Sequence, residues 1–309
     1  MKNLDFIIIG AQKSATTSLF KYLQPHPEIF MSSNKEAPFF SNDKFFNAGW
    51  EKFASEYFDG ARDDQHWGTA SPQYMGNRLT PKRIHDQMPD VRLIALLRNP
   101  IERAFSHYKM TARRGFDPRS FDDAIAELSK PDALEAARDC MPVLEQGKTN
   151  EDESGHYLVW GEYGRILQEF LTYFPKDQLL VLFMDEMIQD PVDTYRRVIE
   201  FIGIEDDFVP PNVGKVYHKG GMQQIIPERW RTALKSNLVF RLFWNMVPEK
   251  LRNNIRIAYD QKNVKKGSGE EGPSVQAEQM LIDYYAQDVE QLEKTIGRSV
   301  PWPEFHSPA

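Results

Sequence analysis

Two stretches of the chain combine cationic and hydroxyl side chains in a way that suits an anionic ligand. The first, Gly10-Ala-Gln-Lys-Ser-Ala-Thr-Thr-Ser18, follows the apolar run Phe6–Ile9. The run is short and rich in β-branched isoleucine, which predicts a buried strand. The residues that follow Gly10 predict the start of a helix. N–H groups at a helix start are unpaired and the helix dipole is positive there, which predicts a phosphate-binding loop around Lys13. A plain strand-to-helix turn with a surface lysine is the alternative.

This loop differs from the two common nucleotide-binding loops. A Walker A loop reads G-x-x-x-x-G-K-[ST], whereas the fifth residue after Gly10 is Ala15, and Lys13 lies three residues before Thr16. The Rossmann pattern G-x-G-x-x-G also fails, because Ala11 and Gln12 follow Gly10. The loop therefore suits a phosphate, but not one bound as in ordinary ATPases.

The second stretch follows the apolar run Val91–Leu97, which predicts another buried strand. Arg98 would then stand at the carboxyl end of a parallel strand, where open α/β sheets bind ligands. Ser106 follows about two helical turns later. Two separate basic-plus-hydroxyl sites indicate a ligand with two phosphate groups. A salt bridge at the sheet edge is the alternative for Arg98, and an ordinary helical serine for Ser106.

A candidate general base occurs in Asn34-Lys-Glu-Ala-Pro-Phe-Phe40. The proline and the aromatic pair predict a loop that carries Glu36 toward an apolar wall. A carboxylate in such a place loses solvation, which suits it to accept a proton. A solvated Lys35–Glu36 pair on a surface loop is the alternative.

The elements expected to position these residues alternate between strand and helix. This order predicts an α/β, three-layer P-loop-like fold with a central parallel sheet flanked by helices. We expect a single domain over residues 1–309, in which 210–272 is a loop-rich covering region and 273–297 a closing helix. Besides the two strands above, the sequence predicts a strand near Trp67, a buried strand over Gln178–Met184, and helices over Thr80–Met88, from Ile101, over Ser120–Leu128, Tyr157–Phe174 and Asp190–Gly203.

The segment before Tyr157 is the least regular part of the pattern. Pro131 and the acidic run Asn150-Glu-Asp-Glu153 interrupt the helical periodicity. We interpret the acidic run as a solvated surface and not as a metal site.

Composition limits the classes of function. The 309 residues are 41% hydrophobic, and the net charge of −7 argues against general nucleic-acid binding. A bound anion therefore needs a local basic cluster. The single cysteine, Cys140, excludes an intrachain disulfide and fits a reducing compartment. The chain starts directly with a strand, and no apolar run approaches about 18 residues, so we expect a cytoplasmic protein without a transmembrane segment.

Four segments, in order, resemble the sulfotransferases that use 3′-phosphoadenosine 5′-phosphosulfate (PAPS), in particular the branch of heparan sulfate and small bacterial enzymes. They are the Gly10–Leu19 loop, Lys35-Glu-Ala-Pro-Phe-Phe40, Leu97-Arg-Asn-Pro-Ile-Glu-Arg-Ala-Phe-Ser-His-Tyr108, and Gly161-Glu-Tyr-Gly-Arg-Ile-Leu167 with the strand after it. The resemblance is collinear over nearly the whole chain.

This resemblance implies a donor site and a reaction. PAPS would be the sulfuryl donor and 3′-phosphoadenosine 5′-phosphate (PAP) the product, without a metal ion. Glu36 would take the proton of an acceptor hydroxyl, and Lys13 would stabilise the departing phosphate. The residues implied to hold the nucleotide are Lys13, Ser14, Ala15, Thr16, Thr17 and Ser18 at the 5′ end, Arg98 and Ser106 at the 3′-phosphate, and Lys219, Gly220 and Gly221 in a covering loop.

The base and the acceptor stay open. Another branch of the family uses a histidine, so His218, and after it His66 or His107, is the alternative to Glu36. The glycan-sulfating relatives usually carry Glu-Lys before a Ser/Thr-Pro dipeptide, whereas Thr69-Ala70 precede Ser71-Pro72 here. A glycan, a small-molecule alcohol and a hydroxyacyl chain all remain candidate acceptors, and the segments 42–64, 130–156 and 222–272 are expected to wall their site. A nucleotide kinase and a non-catalytic nucleotide-binding scaffold are the alternative functions.

Overall fold

A five-stranded parallel sheet forms the centre of the molecule. The computed structural model describes residues 2–139, 153–217, 222–224, 264–266 and 272–306. The strand order is β2-β3-β1-β4-β5, with a crossover between successive parallel neighbours, which confirms the predicted α/β parallel sheet. The strands are β1 Phe6–Gly10, β2 Ile29–Met31, β3 His66–Ala70, β4 Arg92–Leu97 and β5 Leu179–Phe183.

Helices cover both faces of this sheet because successive strand side chains point to opposite faces. Phe6 and Ile8 pack with one apolar cluster, and Ile7 and Ile9 with the other. The helices are α1 Thr16–Leu23, α2 Asp43–Ala48, α3 Trp50–Tyr57, α4 Thr80–Gln87, α5 Pro100–Arg114, α6 Phe121–Leu128, α7 Pro131–Asp139, α8 Tyr163–Leu171, α9 Met184–Gln189, α10 Pro191–Ile202 and α11 Val275–Ile296. Helices α1 and α10 pack on the first face, and α3, α4, α5, α8 and α11 on the second.

The predicted helix over Tyr157–Phe174 is shorter in the structure. A 3₁₀ turn over Val159–Gly161 precedes α8, which starts only at Tyr163. The reason is close packing on α11: a Cβ on Gly164 would lie 2.3 Å from the Asp288 carbonyl oxygen. The Asp288 carboxylate also accepts hydrogen bonds from the backbone N–H groups of Gly164 and Arg165, at 2.8 and 2.9 Å, and so fixes where α8 begins.

Two further predictions need correction. The strand β5 is only half-buried over Leu179–Val181, because it lies at the sheet edge and pairs with β4 alone among the described strands. Pro131 does not simply interrupt a helical pattern; it is the first residue of α7, a position where the missing proline N–H costs nothing.

The closing helix was predicted well. Ser274 caps α11 by accepting from Ala277 N–H at 3.1 Å, and the helix ends before Gly297, whose φ is 76°. Leu281, Tyr285, Val289 and Leu292 are buried in the core, as expected. Most of the region 210–272 lies outside the described residues; within it, β6 Met222–Gln224 pairs antiparallel with β7 Val264–Lys266. Among the described helices, none is both long and apolar enough to cross a bilayer.

Candidate active site

The loop between β1 and α1 is tied to the carboxyl edge of the sheet. Ala11 N–H donates to the Leu96 carbonyl oxygen of β4 at 2.8 Å. Lys13 and Ala15 both have left-handed backbone conformations, with φ of 73° and 60°. Residues other than glycine adopt this conformation rarely, and often where a binding or catalytic loop demands it. These two conformations make the loop a candidate for ligand binding.

The start of α1 has no side-chain cap in the described residues. Ala15 occupies the N-cap position. Thr16 and Ser18 are buried, and Thr17 is half-buried. The uncapped helix start, with its positive dipole, is the arrangement that the sequence predicts for binding a phosphate.

Ser14 follows Lys13 directly, as a serine follows the lysine of a Walker A loop. Its side chain is completely buried, and it lies two residues before α1 begins. In a Walker A loop this hydroxyl sits at the helix start and binds Mg²⁺. In this chain Ser14 instead lies before the first turn of α1.

The Lys13 ammonium lies in a basic environment. Its Nζ is 3.7 Å from Met110 Sδ on α5. Burial, followed by the charges of Arg113, Arg114 and Arg98, lowers the pKa of Lys13 to about 8. These groups form the local basic cluster that an anion requires in a chain of net charge −7. The sequence analysis missed Arg113 and Arg114, because two arginines at a helix C-terminus are an ordinary pattern.

Arg98 joins the second predicted anion site to the first. Its Nε and Nη2 donate to Glu102 Oε2 at 2.9 and 2.8 Å, and its Nη1 lies 3.5 Å from the Lys13 carbonyl oxygen. Ser106 is half-buried and lies one turn beyond Glu102 on the same face of α5. Tyr163 donates to the Arg98 carbonyl oxygen at 2.9 Å. The salt bridge considered for Arg98 is therefore present, yet it lies directly beside the phosphate loop.

Glu36 lines a cleft next to α1. The cleft has a volume of about 460 Å³. The Glu36 side chain is 38% exposed, and Lys35 Nζ lies 3.5 Å from its Oε1. Burial lowers the pKa of the largely buried Lys35. The lining is mixed rather than wholly apolar, and consists of Thr17, Phe20, Lys21, Gln24, Ser33, Asn34, Lys35, Glu36, Pro38 and Tyr57.

The Ser71-Pro72 dipeptide holds the Glu36 loop in place. Ser71 Oγ accepts from Ala37 N–H at 3.1 Å and donates to the Ala37 carbonyl oxygen at 2.9 Å. Tyr74 donates to the same carbonyl oxygen. Ser71 and Tyr74 are buried. Their hydrogen bonds to the N–H and C=O groups of Ala37 therefore hold the backbone directly after Glu36.

Below the phosphate loop lies a carboxylate that the sequence analysis misplaced. Glu153 was interpreted as part of a solvated acidic run, but its side chain is only 5% exposed. Its Oε2 accepts from Gln12 Nε2 at 2.9 Å and from His107 Nε2 at 3.1 Å. Hydrogen bonds to polar partners from distant segments, which sequence periodicity does not reveal, compensate its burial. The rest of the run, 150–152, lies outside the described residues.

The histidine alternatives differ in their positions. His107 is fully buried, and burial lowers its pKa to about 4. His66 begins β3, at the sheet edge opposite the phosphate loop. His218 and the predicted covering residues Lys219, Gly220 and Gly221 lie outside the described residues.

The aromatic residues considered for an acceptor site are mostly core. Trp50, Trp67 and Trp160 are at most 6% exposed. From the predicted wall 42–64, Tyr57 does reach the cleft beside Glu36.

Comparison with known proteins agrees with this geometry. The family model described as "Sulfotransferase domain" matches residues 3–249. Human heparan sulfate glucosamine 3-O-sulfotransferase 6 is 28% identical over 199 residues, which are 64% of this chain and 52% of that protein. The Drosophila melanogaster bifunctional heparan sulfate N-deacetylase/N-sulfotransferase is 27% identical over 226 residues, 66% of this chain and 20% of that protein. The matched part of this chain thus spans about half the length of the human relative (52%) and a smaller share of the Drosophila relative (20%).

A solved structure supports the fold along the whole chain. The sulfotransferase from Alicyclobacillus acidocaldarius superposes with a TM-score of 0.65 at 24% sequence identity, covering 97% of this chain and 98% of that one. The family match over residues 3–249, with the α/β parallel sheet, leads to one conclusion: the chain belongs to the sulfotransferase domain family.

Proposed function

We propose that the protein transfers a sulfuryl group from PAPS to an acceptor hydroxyl. The observation that carries the proposal is the adjacency of three groups at one edge of the sheet. The Arg98 guanidinium lies against Lys13, in the loop that leads into the uncapped start of α1. The cleft lined by Glu36 extends to Thr17 of α1. A donor with a phosphosulfate and a second phosphate matches two adjoining cationic segments.

The residues would divide the work between donor and acceptor. The loop from Lys13 to Ser18 would bind the 5′-phosphosulfate, and Arg98 with Ser106 the 3′-phosphate. Glu36 would accept the proton as the acceptor oxygen bonds to sulfur. Lys13 would stabilise the bridging phosphate oxygen, which keeps the electron pair of the breaking S–O bond. We keep His218 as the alternative base, and Lys219, Gly220 and Gly221 as covering residues.

The loop chemistry supports a metal-independent reaction. A sulfuryl group carries less negative charge than a phosphoryl group, so the ammonium of Lys13 and the dipole of α1 can take the place of a metal clamp. Ser14, the residue in the Walker serine place, is buried.

A relative named as a heparan sulfate glucosamine 3-O-sulfotransferase makes a sugar hydroxyl the first acceptor to test. Polar groups from α1 and the Glu36 loop line the cleft and provide hydrogen-bond partners of the kind that sugars use. Small alcohols and hydroxyacyl thioesters form the comparison set.

The test follows PAP release from PAPS with each acceptor class, for wild type and Glu36→Gln. Acceptor-dependent release that the variant loses is expected. Release absent with every acceptor, from a protein that binds PAP, would contradict the proposal.

A further inference from the structure

We propose that Glu153 is a positioning residue for the phosphate loop. Its carboxylate fastens the side chain of Gln12 to α5 and is a counter-charge to the cationic groups around Lys13. The inference rests on the proposed donor site, because Gln12 precedes Lys13 in the loop.

The contacts form a chain from the loop to α5. Glu153 Oε2 is the common acceptor for Gln12 Nε2 at 2.9 Å and His107 Nε2 at 3.1 Å. His107 Nδ1 lies 3.4 Å from Arg103 Nη1, and Arg103 also donates to the Tyr157 carbonyl oxygen. Arg103 and His107 are fully buried on α5, so the α5 end of these contacts is held by packing.

The direction of each hydrogen bond follows from chemistry. A guanidinium group only donates, so His107 Nδ1 must accept from Arg103. A neutral His107 then carries its proton on Nε2 and donates it to Glu153. Burial lowers the pKa of His107 to about 4, which agrees with a neutral ring. Glu153 is thus a pure acceptor between two donors, a role that an ionised carboxylate fills best.

The charge of Glu153 acts on the same loop. Around Lys13 the nearby cations are Arg98, Arg113 and Arg114, and all three lower its pKa, whereas Glu153 raises it. Burial raises the pKa of the Glu153 carboxyl, but the hydrogen bonds and charges of His107, Gln12 and Arg114 outweigh it, so the pKa is lowered. Removing the Glu153 charge would therefore strengthen the effect of the nearby cations on Lys13 and leave more of it neutral at a given pH.

A matched control separates this role from general stability. Glu162 is another buried carboxylate, also 5% exposed in its side chain. It bonds Arg138, Arg165 and Tyr284 rather than the phosphate loop. Glu162→Gln should destabilise the fold without acting on the nucleotide site.

The experiment is calorimetric titration of PAP into wild type, Glu153→Gln, Glu153→Ala and Glu162→Gln, at pH 6.5 and pH 8.5, with Tm measured for each. Gln at position 153 can still accept both hydrogen bonds through one oxygen, so we expect PAP affinity within about threefold of wild type at pH 6.5. At pH 8.5 it should bind about tenfold more weakly than wild type, because Lys13 is less protonated. Glu153→Ala also removes the hydrogen bond to Gln12, so its affinity for PAP should be about tenfold or more below that of wild type at both pH values.

Glu162→Gln should bind PAP like wild type at both pH values whatever its Tm. Wild-type affinity in both Glu153 variants at both pH values would overturn the inference while leaving the donor site intact. Equal affinity losses in Glu153→Gln and Glu162→Gln would also overturn it. Failure of the wild type itself to bind PAP would reject the proposed donor site, and this inference with it.

Discussion

The Nη1 of Arg98 lies 3.5 Å from the carbonyl oxygen of Lys13. Through this contact the loop after β1 and the start of the helix after β4 meet at the carboxyl edge of two neighbouring parallel strands. Open α/β sheets bind ligands at this edge. A single ligand with two anionic groups can therefore contact both residues, and the proposed roles of the two can be tested separately.

Arg98→Ala should weaken the binding of PAP much more than the binding of adenosine 5′-phosphate, which lacks the 3′-phosphate. Because a charge-assisted hydrogen bond is lost, the affinity for PAP should fall about 10- to 100-fold. The affinity for adenosine 5′-phosphate should change little. Titration of both nucleotides measures the difference. Arg62→Ala, which removes an exposed arginine paired with Asp64, is the control. Equal losses for both nucleotides would mean that Arg98 serves the structure, through its pair with Glu102.

Glu36→Gln should lower kcat by about 100-fold or more while leaving PAP affinity nearly unchanged, because only proton removal depends on the carboxylate. Glu51→Gln, at an exposed position on α3, is the matched control. Steady-state rates with the best acceptor and PAP titration provide the two readouts. Near-wild-type kcat would move the base role to a histidine, with His218 as the first to replace.

Ser71→Ala should lower kcat several-fold and leave PAP binding unchanged. The reason is that Ser71 bonds both backbone polar groups of Ala37, next to Glu36, and lies outside the proposed donor site. Ser71→Thr retains a hydroxyl and should recover most of the rate. A loss of PAP affinity equal to the loss of rate would argue for a general collapse of the loop.

PAP affinity should fall as the pH rises above about 8. The pKa of Lys13 is lowered to about 8 in the free protein, and only its protonated form attracts the phosphate. Above that pH, binding takes up a proton, so the observed enthalpy should depend on the ionisation enthalpy of the buffer. Lys13→Arg stays charged and should show a flat profile. The same decline in Lys13→Arg would assign the pH dependence to another group.

Stability should fall on acidification partly through His107. Its pKa is lowered to about 4 in the folded protein, below the ordinary 6.5, so the unfolded chain binds the proton more tightly. The contribution of neutral His107 to the free energy of unfolding is therefore complete above pH 6.5, and it is lost as the pH falls toward 4. A plot of Tm against pH should be flatter in this range for His107→Gln than for wild type, with the exposed His85→Gln as control. Parallel curves for all three proteins would contradict the assignment.

The parts of the fold that sequence alone predicts are those governed by local pattern. The run Phe6–Ile9, the cap at Ser274 and the stop at Gly297 each follow from neighbouring residues, and the structure confirms them. The late start of α8, at Tyr163 rather than Tyr157, depends on the hydrogen bond from Gly164 N–H to the Asp288 carboxylate of α11. These two residues are 124 positions apart, so no local pattern contains the contact. The half-burial of β5 likewise follows from sheet order.

The site divides in the same way. Lys13, Glu36 and Arg98 could be selected because each follows a predicted strand or a distinctive loop motif. Glu153 could not, because an acidic run reads as solvated surface unless its partners are known. Those partners, Gln12 and His107, lie 141 and 46 residues away in the chain.

The most direct measurement is calorimetric titration of wild type and Lys13→Ala with PAP and with ATP, each with and without Mg²⁺. The proposed function predicts micromolar or tighter binding of PAP that is independent of Mg²⁺ and falls by about 100-fold in the variant. Absence of PAP binding, or a preference for Mg²⁺-ATP that Lys13→Ala abolishes, would contradict the sulfotransferase donor site and favour a nucleotide kinase.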